Sequence, residues 1–312
     1  MHASKTRVYF FVQVKDSRTR RPETFRRRLQ TGEISVRSPV VCRTRFRSKQ
    51  CTAIILLAFC SGSLAANWQS TISKDPPGNF PEPRPLRATY RFGWSGFTAA
   101  AGDVHFTKPS GDKLQLDGTG RTIGLVRFWW KLDANYHSVA NAQTLHPIES
   151  RQAENYRAKE VATHLTFTNN GVTSARTDTQ VGAVATKTRQ FAFPNLFDLH
   201  SAMLYVRSQP LREHSVERVV VYPGTNAYVA TITVVGREKI SVHAGTYDAI
   251  KLDLQLNRVG KHLELEPHRK FRRATIWVSD DSNRILLRIE AQIFVGTVFA
   301  ELQSVHFDSA KS

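Results

Sequence analysis

The residues best suited to metal chemistry lie between positions 262 and 268. In the run HLELEPH the ionisable side chains are those of His262, Glu264, Glu266 and His268. Imidazole and carboxylate groups are metal ligands, and alternate residues of a strand share one face. However, Pro267 interrupts a strand, and charges at alternate positions are typical of its solvent-exposed side. We therefore predict neither a metal nor a cofactor here, and a metal-dependent enzyme stays a second alternative.

Two other patterns approach catalytic motifs without meeting their requirements. Asp280 and Asp281 are adjacent carboxylates of the kind used in general acid–base catalysis. Neighbours in a strand point to opposite faces, however, and a turn accounts for both residues. The run Gly93–Phe97 approaches a nucleophile elbow, but its second glycine is misplaced and no strand-to-helix turn follows. We predict no catalytic residue and a non-catalytic protein.

An aromatic run between two cations is the best candidate for a binding site. Phe128, Trp129 and Trp130 lie between Arg127 and Lys131. Aromatic rings beside cationic groups suit an amphiphile with an anionic head, or a membrane surface. In a strand one tryptophan would point inward and the other outward. The alternative is that these rings fill the core while the flanking charges are solvated.

Two alternating runs near the C-terminus predict the element around which the sheet is built. Apolar residues occupy the even positions of 274–278 and the odd positions of 285–295. A period of two predicts strands with one buried and one solvated face. The SDDSN run at 279–283 predicts the turn between them. We expect a hairpin, then a bend at Gly296 and a last strand over 297–307.

Similar runs along the chain predict the fold class. They include Val161–Phe167 before the hairpin signal Asn169–Gly171, and Ile250–Leu256. A first pair of strands is expected over 90–97 and 102–108. Runs at this spacing are typical of an antiparallel sandwich or barrel. The predicted fold is all-β and mainly antiparallel, a curved sheet or open half barrel of about ten strands with one packed helix near 195–207.

The predicted helix covers Pro194–Val206, where the spacing changes from two to three or four. Its apolar stripe is Leu196, Leu199, Met203 and Val206, with Asn195 as cap and Asp198 in the first turn. An acidic residue there favours the helix dipole. We expect this stripe to be core, closing one side of the curved sheet, rather than to contact a ligand.

Residues 1–65 are predicted to be a basic leader that ends in a signal peptide. They contain 14 Lys and Arg against 3 Asp and Glu. The apolar run Cys51–Ala65 is shorter than the roughly 20 residues of a membrane span. It ends in Ser63-Leu64-Ala65, a small-x-small cleavage signal. We expect export to the periplasm with cleavage near Ala65.

Alternatives for the leader concern its fate and its start. One alternative is that the apolar run is a buried or anchoring segment, and another is that Cys60 is lipidated. Phe59 stands where a lipoprotein signal has a small residue. The residues before the basic segment show no apolar periodicity, so we hypothesise that translation begins at a valine codon such as Val40 or Val41.

The remaining chain is predicted to be one water-soluble domain. Five prolines make 66–85 an extended linker or a disordered lead-in, followed by a β domain over 86–307 and a tail over 308–312. The net charge of +18 belongs largely to the leader, since 30 basic and 23 acidic residues follow it. We therefore predict no nucleic-acid partner. All three cysteines lie in the leader, and charges on exposed strand faces disfavour an integral membrane protein.

Four features in order resemble a family of exported bacterial proteins, domain of unknown function 3108. They are Phe197-Asp198-Leu199 with Arg207–Leu211, the Gly236–Glu238 turn, the Ala244–Tyr247 turn before Lys251-Leu252, and Ile276–Asp281 with Arg284. Gly93–Gly96 and Ala101-Gly102 also fit its opening strands. The resemblance covers about 86–307. It implies a periplasmic β-rich domain of undetermined activity and supplies no catalytic residue.

Three functional classes are open at this stage. By a distant analogy of fold, the domain is similar to outer-membrane lipoprotein carriers, whose open half barrels hold acyl chains. The first class is thus a non-catalytic periplasmic protein that binds or carries a lipid or acylated amphiphile. The second is an envelope scaffold or assembly factor with a protein partner, and the third is the metal-dependent enzyme. An apolar cavity would favour the carrier, a filled core the scaffold, and convergent polar groups the enzyme.

Overall fold

The computed structural model describes residues 67–268, 270–293 and 296–308. The predictions about the leader, its cleavage site and Cys60 fall outside this range. Sixteen strands form one sheet. In chain order they are β1 (Leu86–Trp94), β2 (Phe97–Ser110), β3 (Lys113–Thr122), β4 (Leu132–Asn141), β5 (Pro147–Tyr156), β6 (Lys159–Thr168), β7 (Gly171–Gln180), β8 (Ala183–Ala192), β9 (Leu196–Phe197), β10 (Val216–Val221), β11 (Tyr228–Val242), β12 (Gly245–Val259), β13 (Leu265–Pro267), β14 (Phe271–Ser279), β15 (Leu286–Ile293) and β16 (Gly296–Phe307).

The strand order places the first strand in the middle of the sheet. From β1 the chain meanders outward to β8 at one edge, and then crosses to β9 at the other edge. It returns by β10, β11, β12, β14 and β15 to β16, which pairs antiparallel with β1. β13 pairs with β12 beside this path, and β9 pairs parallel with β10. The all-β, mainly antiparallel and open sheet is confirmed.

The predicted number of about ten strands is wrong, because the sheet has sixteen. Strands with one apolar face were found from the sequence, as in β6, where buried and exposed residues alternate throughout. The hairpin of β14 and β15 is also confirmed. By contrast, β5 and β8 carry polar residues on both faces and show no period of two. The first turn lies at Ser95-Gly96, so the small residues 99–102 belong to β2.

The sheet curls so that strands from its two halves meet. Leu165, Phe167 and Val172 from β6 and β7 pack in one cluster with Val220 and Val229 from β10 and β11. The β10–β11 turn also accepts hydrogen bonds from the opposite half. Gln152 Nε2 donates to Pro223 O at 2.8 Å, and Ser174 Oγ donates to Gly224 O at 2.6 Å. The concave side is therefore largely filled by side chains.

Two α-helices accompany the sheet, α1 (Gly124–Trp129) and α2 (Leu199–Ser208). The cap of α2 is Asp198 rather than Asn195, which has a left-handed φ of 55° before the helix. Asp198 and Ser201 form a capping box, in which each side chain bonds to the backbone of the other residue. The described residues include no helix with the length and apolar character needed to cross a membrane.

The predicted apolar stripe is confirmed only in part. Leu199 and Val206 of α2 pack against a core cluster, whereas Met203 is exposed. Leu196 is buried but lies in β9, because the helix begins at Leu199. The residues of α2 that are buried are His200, Ser201, Leu204, Tyr205 and Ser208. The helix still packs on the sheet, since Leu204 joins Phe106 and Leu114 in one core cluster. The packed helix near 195–207 is thus present with a different buried face.

The C-terminal end of α2 is closed by an arginine from the β14–β15 turn. Arg284 Nη1 donates to Arg207 O and to Gln209 O, each at 2.5 Å. The last carbonyls of a helix have no partner within it, so this side chain satisfies them. Asp281 shapes the turn, because its Oδ1 accepts hydrogen bonds from the backbone N–H groups of Asn283 and Arg284.

The proline-rich segment packs on this end of the helix as an ordered arm. Tyr205 donates its hydroxyl to Asp75 O at 3.2 Å, and Gly78 N donates to Ser208 Oγ at 3.0 Å. Phe80 lies against Arg284, whose guanidinium carbon is 3.3 Å from the ring centroid. Residues 75–80 therefore cross the end of α2 and hold it against the sheet.

Replacing Gly78 with alanine is expected to release this arm. A Cβ at position 78 would lie 2.1 Å from the backbone oxygen of Ser208, which cannot move without distorting α2. Overpacking of this kind typically costs about 1–3 kcal/mol of unfolding free energy. Limited proteolysis should cut residues 72–85 faster in this variant. Gly111→Ala, where a Cβ meets nothing within 4 Å, is the control; equal cleavage of both variants would contradict the expectation.

Candidate functional site

The predicted aromatic site lies on a helix rather than on a strand. Residues 124–129 form α1, which connects β3 to β4, and Trp130 follows as its C-cap residue. Gly124 allows the chain to enter with a φ of 55°. The expectation that Trp129 and Trp130 point to opposite faces of a sheet is therefore wrong. Successive residues alternate between two faces only in a strand, and these two residues lie at the end of a helix.

Polar contacts at its base hold this short helix to the sheet. The buried Thr122 hydroxyl donates to Trp130 O at 3.0 Å and accepts from Leu132 N at 3.1 Å. Arg127 forms two hydrogen bonds with the Asp133 carboxylate, at 2.8 and 3.1 Å. These bonds raise the pKa of Arg127 and lower the pKa of Asp133. Both ends of the connection are therefore fixed.

The exposed face of α1 is apolar. Leu125 is 82% exposed, Phe128 is 71% exposed and Trp129 is 80% exposed. These residues are spaced i, i+3 and i+4, so they share one side of the helix. No residue of α1 is buried. The polarity is thus the reverse of an ordinary surface helix, and core filling is excluded for Phe128 and Trp129. Trp130 is partly buried and stacks on Tyr156 at 6.4 Å.

Further exposed apolar side chains lie along the same end of the sheet. Strand pairing runs from Trp94↔Phe97 at the β1–β2 turn, through Arg121↔Asp133 beside α1, to Gln180↔Ala183 at the β7–β8 turn. These turns therefore all follow one end of the strands. The exposed apolar residues of this end, called the apolar end below, are Trp94, Phe97, Leu125, Phe128, Trp129, Val181 and Val184.

Cationic side chains surround α1. Arg121, Lys131 and Arg157 are exposed. Arg157 Nη2 also donates to Phe128 O at 2.8 Å, so it borders the aromatic residues directly. Lys131 lies 4.0 Å from Asp133, a distance at which an exposed ion pair contributes little. The predicted five residues are thus brought together with an apolar face outward and basic groups beside it.

The predicted metal-ligand candidates do not converge. The Glu264 carboxylate accepts from His262 N at 2.8 Å, whereas Glu266 pairs with Arg258 at 3.4 Å. His268 Nδ1 accepts from Phe271 N at 2.8 Å, and its ring packs on Tyr228. Across residues 67–268, 270–293 and 296–308, no three His, Cys, Asp or Glu side chains are placed to hold a metal ion.

The other two catalytic patterns form turns. Asp281 accepts backbone hydrogen bonds in the β14–β15 turn, and Asp280 pairs with Arg237 at 2.8 Å. The two carboxylates therefore have separate partners. Ser95 and Gly96 form the β1–β2 turn with positive φ angles, and Ser95 N donates to Thr297 O.

A buried polar cluster that sequence reasoning did not find joins α2 to β4. Asp198 Oδ2 accepts from the Tyr136 hydroxyl at 3.1 Å and from Ser138 Oγ at 2.5 Å. His200 Nδ1 lies 3.2 Å from Ser138 Oγ. Because Ser138 gives its proton to Asp198, the imidazole must donate here. The serine is therefore not activated by the histidine, and all four residues are buried. The cluster is suited to fixing the helix.

A groove of about 650 Å³ lies on the sheet face opposite α2. Its lining includes Asn135 and His137, which alternate with the inward residues Tyr136 and Ser138. The ionisable groups here are paired, as His137 Nδ1 lies 2.7 Å from Asp117 Oδ1. Small residues such as Ala153 and Ala162 complete the lining. Ionisable side chains such as those of Asp117, His137 and Arg151 are therefore interspersed with the apolar surface of this groove.

The sequence contains a pattern that indicates α1, which was not predicted. Leu125 stands three and four positions before Phe128 and Trp129, which is the spacing of one helical face. The residues at the two turns, Phe97 and Val181, have no such pattern. Only the pairing of strands brings them to the same end of the sheet.

Comparison with known proteins identifies a family but no activity. A structure of a beta-barrel-like protein of domain of unknown function DUF1849 from Brucella abortus is similar over 73% of this chain and 99% of its own, with 9% identity and a TM-score of 0.48. A structure described as that of a lipoprotein from Parabacteroides distasonis covers 75% of this chain and 100% of its own, at 11% identity and a TM-score of 0.31. Scores this low carry no inference about function.

The family comparison is more decisive than these structural ones. No curated protein matches the chain. In contrast, the family model named "Protein of unknown function (DUF3108)" matches residues 89–303, which is most of the chain and nearly all of the sheet. The protein therefore belongs to the DUF3108 family, as its sequence motifs predicted.

Proposed function

We propose that this protein is a non-catalytic, exported envelope protein that binds the surface of a lipid bilayer containing anionic lipids. The apolar end is the observation that carries the proposal. Leu125, Phe128 and Trp129 project from a helix that buries none of its own residues. Aromatic and aliphatic side chains exposed together mark an interaction surface, and aromatic rings are suited to the bilayer interface.

The expected energies are sufficient for reversible binding. Burial of one large apolar side chain contributes roughly 1.5–3 kcal/mol. A basic residue near an anionic membrane surface adds about 1 kcal/mol. Arg121, Lys131 and Arg157 are exposed beside α1 and supply that attraction. Several partly inserted side chains and three cations therefore favour peripheral binding that depends on anionic lipid and weakens with salt.

Binding at the surface fits the fold better than carriage of a lipid inside the sheet. The concave side is filled by core clusters that include Tyr205 and Leu204 of α2. The inner faces of β6 and β7 also carry Lys159, Arg176 and Asp178, which are linked by ion pairs. An acyl chain would have to displace packed or charged groups there.

Vesicle flotation with the purified protein tests the proposal. Vesicles of phosphatidylcholine plus phosphatidylglycerol should bind the protein, and Phe128→Ala/Trp129→Ala should lower partitioning roughly 100-fold, since two partly inserted rings contribute about 3 kcal/mol. The matched control is Ile148→Ala/Val216→Ala, which removes two exposed apolar side chains from the opposite ends of their strands. This control should float like the parent protein.

Three results would each argue against bilayer binding. Equal losses in the two double variants would show that hydrophobic exposure in general, not the apolar end, drives flotation. No flotation with vesicles that contain phosphatidylglycerol would overturn the proposal. A single lipid molecule retained by the purified protein in native mass spectrometry, with no flotation, would favour the carrier instead.

A further inference from the structure

The edge strand β8 differs from the rest of the sheet in its exposure. Its residues Ala183–Ala192 are all exposed except Phe191, which is partly buried. β8 pairs with β7 on one side and ends the strand order. Among the described residues, no strand pairs with its other side. The outward-facing N–H and C=O groups of this strand are thus open to another strand.

Apart from its two cations, Lys187 and Arg189, the edge lacks the features that usually prevent strand addition. Edge strands are commonly short, or interrupted by proline or a bulge. β8 has ten residues, contains no proline and pairs with β7 over its whole length without a register shift. At about 3.3 Å per residue it presents an edge of roughly 33 Å. An extended segment of similar length would find a continuous template.

Tertiary contacts hold β8 in place for such pairing. Phe191 stacks on Phe193 and on Tyr222, with ring centroids 6.3 and 5.9 Å apart. Arg189 Nη1 donates to Thr225 O at 3.3 Å. The Thr177 and Thr186 hydroxyls are 3.0 Å apart across the hairpin. Little ordering of β8 is therefore required when a partner binds.

The charges of β8 select the kind of partner. Lys187 and Arg189 are two positions apart and share one face, and the strand contains no acidic residue. In a second copy paired antiparallel about the middle of β8, these cations would oppose those of the first copy, and like charges directly opposite are unfavourable. Acidic side chains on the added strand would instead pair with both cations.

We propose that β8 binds an extended, acidic segment of a partner protein as an additional strand of the sheet. Backbone hydrogen bonds supply the affinity in this mode, and side chains at alternate positions supply the specificity. Glutamate or aspartate two residues apart would lie opposite Lys187 and Arg189. This site is separate from α1 and does not depend on lipid binding.

A pair of synthetic peptides tests the proposal. The acidic probe alternates threonine with glutamate over the length of β8, and the basic probe has lysine at the glutamate positions. The acidic probe should slow hydrogen–deuterium exchange of the backbone amides of 183–192 and bind roughly tenfold more tightly than the basic probe, given two opposing charge pairs. N-methylation of alternate backbone nitrogens along one edge of the acidic probe should abolish the protection.

Charge reversal provides the variant and its control. Lys187→Glu/Arg189→Glu should reverse the preference to the basic probe, while Lys113→Glu, an exposed change on β3, should leave it unchanged. Both variants should still float with vesicles, so failure here is distinguishable from failure of the bilayer proposal. Equal binding of the two probes, no protection of 183–192, or a dimer that protects the same amides would overturn the proposed partner.

Discussion

Replacing Asp198 with alanine is expected to lower the unfolding free energy by roughly 4 kcal/mol. The carboxylate caps α2 through Ser201 N and accepts hydrogen bonds from Tyr136 and Ser138 of β4. Loss of a cap costs about 1 kcal/mol. Each buried hydroxyl left without its acceptor costs about 1–3 kcal/mol more. Equilibrium urea unfolding, followed by tryptophan fluorescence and by far-ultraviolet circular dichroism, measures the change.

An exposed aspartate provides the control for this variant. Asp248 is 69% exposed and pairs with Lys239 at 2.9 Å. Asp248→Ala should change the unfolding free energy by less than about 1 kcal/mol, because exposed ion pairs contribute little. If Asp198→Ala cost no more than this control, the buried cluster would not be what holds α2 to the sheet.

Acidification from pH 6.5 to pH 4 is expected to cost about 3 kcal/mol of stability through His200 alone. Burial lowers the pKa of His200 from 6.5 to about 4, and the nearby Asp198 carboxylate only partly offsets this. The unfolded chain therefore binds a proton at higher pH than the folded chain does. The stability due to neutral His200 is fully present above pH 6.5 and is lost as the pH falls towards 4.

His200→Gln isolates this contribution, since glutamine keeps a polar side chain but does not titrate in this range. The loss of stability between pH 6.5 and 4 should be smaller in this variant than in the parent protein, by about 3 kcal/mol. Carboxylates such as Glu301, whose pKa is lowered by Arg288, contribute equally to both proteins. Parallel profiles for the variant and the parent protein would contradict the expectation.

The sequence predicted the strands that bury one face and missed those that do not. In β6, Val161, Leu165 and Phe167 face the core while threonine and histidine face solvent, so the period of two is visible. In β8 nearly every residue is exposed, so neither face selects apolar residues. Such strands are fixed by pairing with a neighbour, as β8 is with β7. Backbone pairing of this kind leaves no pattern in one sequence.

The sequence predicted the aromatic and basic residues of the candidate site, but not the helix on which they lie. Arg127–Lys131 were identified as an aromatic and basic group, and the structure places them on and beside α1. The six-residue helix is too short to show helical periodicity clearly. Phe97 and Val181 lie far from it in sequence, and they reach the same end only through six strand pairings. Sequence reasoning had no means of assembling the apolar end.

The motifs that indicated the family have structural roles around α2. Asp198 caps its N-terminus, and Arg284 donates to the carbonyls of Arg207 and Gln209 at its C-terminus. The predicted Gly236–Glu238 turn is wrong, because these residues continue β11 past an irregularity in its pairing with β12. Arg237 pairs there with Asp280 of the β14–β15 turn. In this chain, these residues fix one helix against a curved sheet. Of the residues that indicated the family, only Trp94 belongs to the apolar end, so family membership and the proposed binding surface rest largely on different residues.

The pairing of β1 with β16 has a consequence for the order in which the protein matures. Leu86 pairs with Phe307 and Tyr90 pairs with Leu302, so β1 is synthesised long before its partner strand β16. Contacts between such distant residues slow folding. Until residues 296–308 have been synthesised, β1 cannot pair with β16, and Tyr90 lacks its partner Leu302. Before β16 pairs with it, β1 is bonded only to β2, and its other edge is open to a molecular chaperone.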